Sequence, residues 1–209
     1  MRSDGSGVER TFIEEARQRQ LLQATIETIA ELGYGQASLA RIAQRAGVSK
    51  GVIAYHFTSK DRLIELVVDH VYASSWAAVQ PRVTGAGTTT EKLASFVHAE
   101  IDYYGSHRQQ LLAVGSIVVN HRSADGSLRY PPGAEPSVVR ALVDLLRDGQ
   151  ERGDLKSFDP LPLAVTVDKA ITGALEQWAT NPEIDLRAYA DELARIFEAA
   201  VRPLVTEMP

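Results

Sequence analysis

The sequence predicts an all-α fold in two parts: an N-terminal three-helix helix-turn-helix domain and a larger C-terminal helical domain. Three observations predict it. Apolar residues recur at spacings of three and four and rarely at two. Most glycines and prolines fall between the segments so patterned. The 209 residues are 44% apolar and 23% charged, the balance of a chain with a real core, and the length suits a small module joined to a larger one.

Each element has its own signals. A first helix is expected from Thr11 to Leu32, with Leu22, Ile26 and Ile29 on one stripe and Gly33 as its stop; residues 1–10 read as a flexible tail. Ser38 is placed as the N-cap of a short second helix that turns Ile42, Ala43 and Ala46 inward and ends at Gly47. Ser49 then caps a third helix. Thr58, with Asp61 three residues on, is placed as the cap of a long fourth helix carrying Leu63, Leu66, Val67 and Val71. Thr88 and Glu91 have the spacing of a capping box that opens a fifth helix through Leu93, Phe96, Val97 and Ile101, and Ser106 parts it from a sixth.

The stretch 122–136, with its Asp-Gly and Pro-Pro pairs, reads as a long loop. It leads to a seventh helix with Pro136 in its first turn and an end near Gly153. An eighth helix from Asp159 and Pro160 repeats Ala164, Val167, Ile171, Ala174, Leu175 and Trp178. A ninth from about Asp185 repeats Leu186, Tyr189, Leu193, Ile196, Phe197 and Ala200. The expected domains are 11–57 for the head and 58–205 for the remainder.

Composition removes several function classes. Without cysteine there is no disulfide, no thiolate metal site and no cysteine nucleophile. The apolar run 111–119 is far too short to cross a bilayer, and the first ten residues lack the apolar core of a signal peptide, so a cytoplasmic protein with no membrane partner is expected. His98, His107 and His121 show no His-x-x-x-His or Glu-x-x-His spacing, and no nucleophile elbow is expected, so the reading is of a non-enzyme with no metal and no cofactor.

The net charge of -5 hides an asymmetry. Residues 38–62 hold Arg41, Arg45, Lys50, Lys60 and Arg62 against Asp61 alone. Within that basic stretch, two short helices joined at "GVS" have the form of a helix-turn-helix, with small Ala43 where the backbones cross and Gly47 free to take the left-handed turn. Ile42, Ala46, Val48 and Ile53 supply the seam, which leaves Lys50, Gly51 and Ala54 on the outer face beside Val52. Small residues there would let base edges come close. Lys50 suits guanine O6 and N7, while Val52 and Ala54 suit a thymine methyl. Tyr55, His56 and Lys60 are placed to donate to phosphates, and Ser38, Arg41, Ser49 and Gly51 complete the candidate DNA-contacting set.

The run "SLARIAQRAGVSKGVIAYHFTSKDRLIELV" resembles the N-terminal domain of TetR-type (tetracycline-repressor-like) transcriptional regulators, through Ala43, Gly47, Val48, the Tyr55-His56-Phe57 triplet and Lys60. "GQERGDL" at 149–155 agrees more weakly with the same family. The resemblance implies a ligand-responsive repressor: a homodimer with two DNA-binding heads on a palindromic double-stranded operator, released by a small-molecule inducer held in the C-terminal domain. One departure is Ala54, where many relatives place an aromatic.

The wide stripes of helices eight and nine are expected to make the dimer interface. Candidate ligand-binding residues are Trp76, Phe96, His98, Tyr103, Tyr104, Asn120, His121, Asp168 and Trp178, a mixture of apolar walls and sparse polar groups such as cavities offer and ordinary cores offer too. The alternative reading is a helical small-molecule binding protein or enzyme without DNA binding.

Overall fold

The computed structural model describes residues 5–131 and 137–203. Among these residues there are nine α-helices and no strand. They are α1 (Gly5–Leu32), α2 (Leu39–Ala46), α3 (Lys50–His56), α4 (Lys60–Gly85), α5 (Thr89–Ser106), α6 (Arg108–Asn120), α7 (Ser137–Glu151), α8 (Pro160–Thr180) and α9 (Leu186–Val201), with a 3-10 turn at Tyr34–Gln36. The all-helical expectation holds.

Most helix ends follow the expected chemistry. The Ser38 side chain accepts from the Arg41 N–H, and Gly47 closes α2 in the left-handed conformation at φ 66°. Thr88 and Glu91 form the reciprocal capping box, Asp159 caps α8 with Pro160 in its first turn, and Asp185 caps α9. Three boundaries differ. α1 begins at Gly5 rather than Thr11, although Gly5, Ser6 and Gly7 favour a helix poorly and the apolar stripe starts later. The cap of α4 is Ser59, whose Oγ accepts from Arg62 N–H at 3.0 Å, and not Thr58, which lies one residue too far from the first turn. Ser49 precedes α3 without making a side-chain cap. Pro136 lies outside the described residues.

The chain forms two compact units. One holds the described residues through Ala73 together with Gln109–Pro131; the other holds Ser74–Arg108 and the described residues from Ser137 onward. The first has a core of Leu21, Ala24, Ile42, Ala43, Ala46, Ile53, Phe57 and Leu63, edged by Leu22, Leu39, Val48 and Leu66. α1, α2, α3 and the start of α4 thereby share one apolar centre, and the Gln20 amide on α1 donates to the Ala46 carbonyl, satisfying one of the acceptors that the end of α2 leaves over.

In the second unit α5 packs against α9, α8 and α7. The join of α5 to α7 rests on Gly149, buried beside Thr89. Thr89 donates through Oγ1 to Asp154 at 2.9 Å and accepts from the Arg152 guanidinium at 2.9 Å, while Gly153 turns the chain at φ 78° so that Leu155 folds back into the core. The "GQERGDL" segment is therefore a helix stop built against the start of α5. Hydrogen bonds from the Thr89 hydroxyl and from Arg152 Nε, the latter at 3.3 Å, hold the Asp154 carboxyl below its ordinary range.

A Cβ at Gly149 would lie 2.5 Å from Thr89 Cγ2 and 2.9 Å from Leu155 Cδ1, whereas one at Gly115 on α6 meets nothing within 4 Å. Overpacking costs about 1–3 kcal/mol, against roughly 1 kcal/mol of helix propensity gained. Gly149→Ala should lower the urea midpoint of unfolding, and Gly115→Ala should raise it. Equal shifts would show that Gly149 is not under close contact.

Candidate nucleic-acid and ligand sites

A seven-residue helix holds most of the first site. In α3, Ile53 is buried and Phe57 just after it is buried at 5% exposure, so the opposite face has to point outward. On it Lys50, Gly51, Ala54 and Tyr55 are exposed, Tyr55 at 76%, with Val52 and His56 half-buried. The Tyr55 and His56 rings meet edge to face at 5.1 Å. Ser38, Arg41 and Ser49 are exposed as well. Ser38 is engaged as a cap, and Arg41 donates to the Gln36 side-chain carbonyl at 2.9 Å. Arg45 is drawn to Glu27 and Glu31 on α1 and so lends little positive charge to the face.

Gly51 is not demanded by the fold. Its φ is not left-handed, and a Cβ there would meet only Ser49 Oγ at 3.6 Å, an ordinary contact. A glycine inside so short a helix costs about 0.5–1 kcal/mol relative to alanine. The pentad Gly47–Gly51 does spell Gly-x-Ser-x-Gly, but an elbow needs a strand running into the serine, and here Ser49 stands between two helices.

Lys60, at the start of α4, has its ammonium 5.1 Å from the centroid of the Tyr34 ring. Tyr34 is a residue that the sequence pattern passes over. Its backbone N–H donates to Ser116 Oγ at 3.1 Å, and its phenol oxygen lies 2.7 Å from Nδ1 of His121. Burial, then the Asp61 carboxylate, push the phenol above its ordinary value.

The candidate ligand residues are dispersed. Trp76 and Phe96 meet, with Val83, Ala141, Leu142 and Leu145, around a cavity of about 40 Å³ among α4, α5 and α7. Tyr104 is buried and edge-on to Tyr103, which stacks on His107 at 4.2 Å. His98 stands 3.6 Å from Asp191, and Trp178 is half-buried on α8. Asn120 donates to the Ser116 carbonyl of its own helix, and His121, 1% exposed, is taken up by Tyr34. Those two belong to the first unit, while Trp76 and Phe96 belong to the second.

Glu100 was not among the sequence candidates. It lies one turn beyond Phe96 on the buried stripe of α5, and an acid in an apolar register was the available signal. Ser75 Oγ donates to it at 3.1 Å. Burial drives its pKa up to about 7 against the opposing Ser75 hydrogen bond, and Asp168 adds to the rise. Asp168 itself is 18% exposed and paired with Lys169 at 3.0 Å.

Because the folded pKa lies above the unfolded one, the folded state keeps its proton longer. Stability falls as pH rises from about 4.5 to about 7, by up to about 3 kcal/mol, and the loss is complete above that window. Glu100→Gln mimics the protonated acid, so it should match the parent near pH 4.5 and be more stable at pH 8 in urea denaturation. A parent and variant with the same pH slope would contradict the assignment.

Residues 21–67 match the pattern described as bacterial regulatory proteins, tetR family. The HTH-type transcriptional regulator BetI 1 of Chromohalobacter salexigens is 39% identical over 87 residues, 41% of this chain and 43% of that protein. BetI of Burkholderia ambifaria is 38% identical over 89 residues, 42% of this chain and 46% of that protein. The chain thus spans less than half the length of these curated relatives. Among solved structures, the transcriptional regulator FadR of Bacillus subtilis in complex with stearoyl-CoA aligns over 88% of this chain and 99% of that chain with a TM-score of 0.75 at 18% identity, a likeness of fold.

Proposed function

We propose that the chain, whose residues 21–67 match the pattern of the tetR family of bacterial regulatory proteins, is a ligand-responsive transcriptional repressor. In this reading it binds a palindromic operator as a homodimer in the cytoplasm and leaves it when a small molecule is bound. The observation that carries the reading is the outer face of α3. Lys50, Gly51 and Ala54 leave room for base edges, and the exposed glycine weakens a marginal helix with no return in packing. Tyr55, His56 and Lys60 flank that face as phosphate donors, with Ser38, Arg41 and Ser49 at its margin.

The expected dimer surface is the pair α8 and α9, where Leu161, Val165 and Ile196 are exposed at 39%, 38% and 49%. A C₂ pair of heads would read half-sites roughly 34–36 Å apart or a multiple of that. For the ligand, the reading favours the Trp76 and Phe96 cavity. Its 40 Å³ holds little more than a water molecule, whereas small-molecule pockets run to about 300 Å³ or more, so binding requires α4, α5 and α7 to part. The helix α4 that carries Trp76 also carries Lys60, so a ligand that moves it has a direct route to a DNA contact. The FadR neighbour holds an acyl-CoA. The apolar lining by Trp76, Val83, Phe96, Leu142 and Leu145 is compatible with an acyl chain.

The test is selection of bound fragments from genomic DNA with purified protein. One enriched palindrome whose affinity falls steeply with salt supports the reading, and folded dimer with no enrichment would favour a binding protein without a DNA role. On the recovered operator, Lys60→Ala should weaken binding to all sequences and reduce the salt slope by about one, while Lys50→Ala should cost about 1–3 kcal/mol and relax sequence preference. Unchanged affinity in both would remove α3 from the DNA interface.

A further inference from the structure

We propose that Tyr34, held by the last turn of α6, is a positioning residue that aims Lys60 at the DNA backbone. The inference rests on the DNA-binding reading and adds to it an element outside the helix-turn-helix. Tyr34 begins the turn between α1 and α2, just after Gly33 at φ 79°. Two groups of α6 and its end grip it: Ser116 Oγ accepts from its backbone N–H, and His121 Nδ1 bonds its phenol oxygen.

His121 is itself fixed. Its N–H donates to the Ile117 carbonyl at 2.7 Å, its carbonyl accepts from Arg129 N–H at 2.9 Å, and the Tyr130 ring lies 6.2 Å away. The imidazole is 1% exposed, so losing the phenol would strand a buried polar atom. The consequence is a Tyr34 ring whose plane is set from behind and whose face is offered to Lys60 Nζ at 5.1 Å.

A turn-filling tyrosine would need none of this. A ring can pack without its hydroxyl being buried against a histidine, and a lysine at a helix start can point freely into water. Lysine carries a flexible four-carbon stem, and a cation over an aromatic face narrows the directions it samples before a phosphate arrives. The phenol stays protonated and able to donate, since burial and Asp61 both oppose its ionisation.

The test uses the full chain with Tyr34→Leu, Tyr34→Phe, His121→Gln and Lys60→Ala, read by operator anisotropy across a salt series and by NMR of the Lys60 side chain. The Lys60 methylene protons next to Nζ should show an upfield ring-current shift in the free protein that Tyr34→Leu abolishes and Tyr34→Phe reduces. Tyr34→Leu should weaken operator binding about 3–10-fold and lower the salt slope by about one, as Lys60→Ala does, and should add nothing in the Lys60→Ala background. His121→Gln, which keeps a polar partner for the phenol, should retain most of the shift and the affinity.

Equal losses from Tyr34→Leu with and without Lys60 would overturn the proposal while leaving the DNA-binding reading intact. An unshifted Lys60 in the parent would overturn it as well. Should Lys60→Ala alone leave operator affinity unchanged, both the positioning role and the phosphate assignment would fall together, and that result is visible in the single variant. Where Tyr34→Leu fails to fold, Tyr34→Phe in the two Lys60 backgrounds decides the same question.

Discussion

A helix of seven residues cannot hold itself together in water, since nucleation is unfavourable and about 12–15 residues are needed even for strong helix formers. α3 has Lys50–His56 only, with a glycine inside it and no side-chain cap at its start. It exists because Ile53 and Phe57 are driven into a centre shared with Leu21, Ile42, Ala43, Ala46 and Leu63. That dependence organises the first unit. The turn at Gly47 must be tight enough to bring α3 onto α2, Ala43 must be small where the two backbones meet, and α1 must supply both apolar surface and the Gln20 amide for the end of α2.

The same dependence decides what is left exposed. Once α3 is held by one buried face, Lys50, Gly51, Ala54 and Tyr55 are left exposed, with Val52 and His56 half-buried at the margin. Burial and exposure are separated residue by residue on a helix of two turns. The charge follows the same division, because Arg45 faces the acids of α1 while Lys50 is exposed and the Lys60 ammonium lies over the Tyr34 ring.

Much of this was legible in the sequence for a physical reason. Caps, stops and the helix-turn-helix seam are local: Ser38, Gly47, Thr88 with Glu91, Asp159 and Asp185 act within a few residues of themselves, and a periodic stripe shows which face of a helix is buried. The misplaced cap at Thr58 shows the grain of such reading, since Ser59 differs from it by one residue and both are good caps. What the sequence could not show is long-range polar pairing. Tyr34 meets His121, and Thr89 meets Asp154 and Arg152, across chain separations that no spacing rule encodes. The candidate ligand residues suffered most from this. Aromatic and polar side chains of the middle helices look alike in the sequence whether they line a cavity, as Trp76 and Phe96 do, or tie a turn in place, as His121 does.

The long-range polar pairs are also where the fold holds its least interchangeable contacts. Apolar positions tolerate exchange at similar volume, whereas a buried hydroxyl or carboxyl requires one partner in one direction. Thr25 and Thr28 escape that constraint by bonding carbonyls of their own helix, and they fix nothing beyond α1. Tyr34 with His121 fixes the turn between α1 and α2. Ser75 with Glu100 fixes α4 to α5 next to a cavity, at the cost of a carboxyl that ionises only near neutrality. Buried polar contacts of this kind have few alternative arrangements.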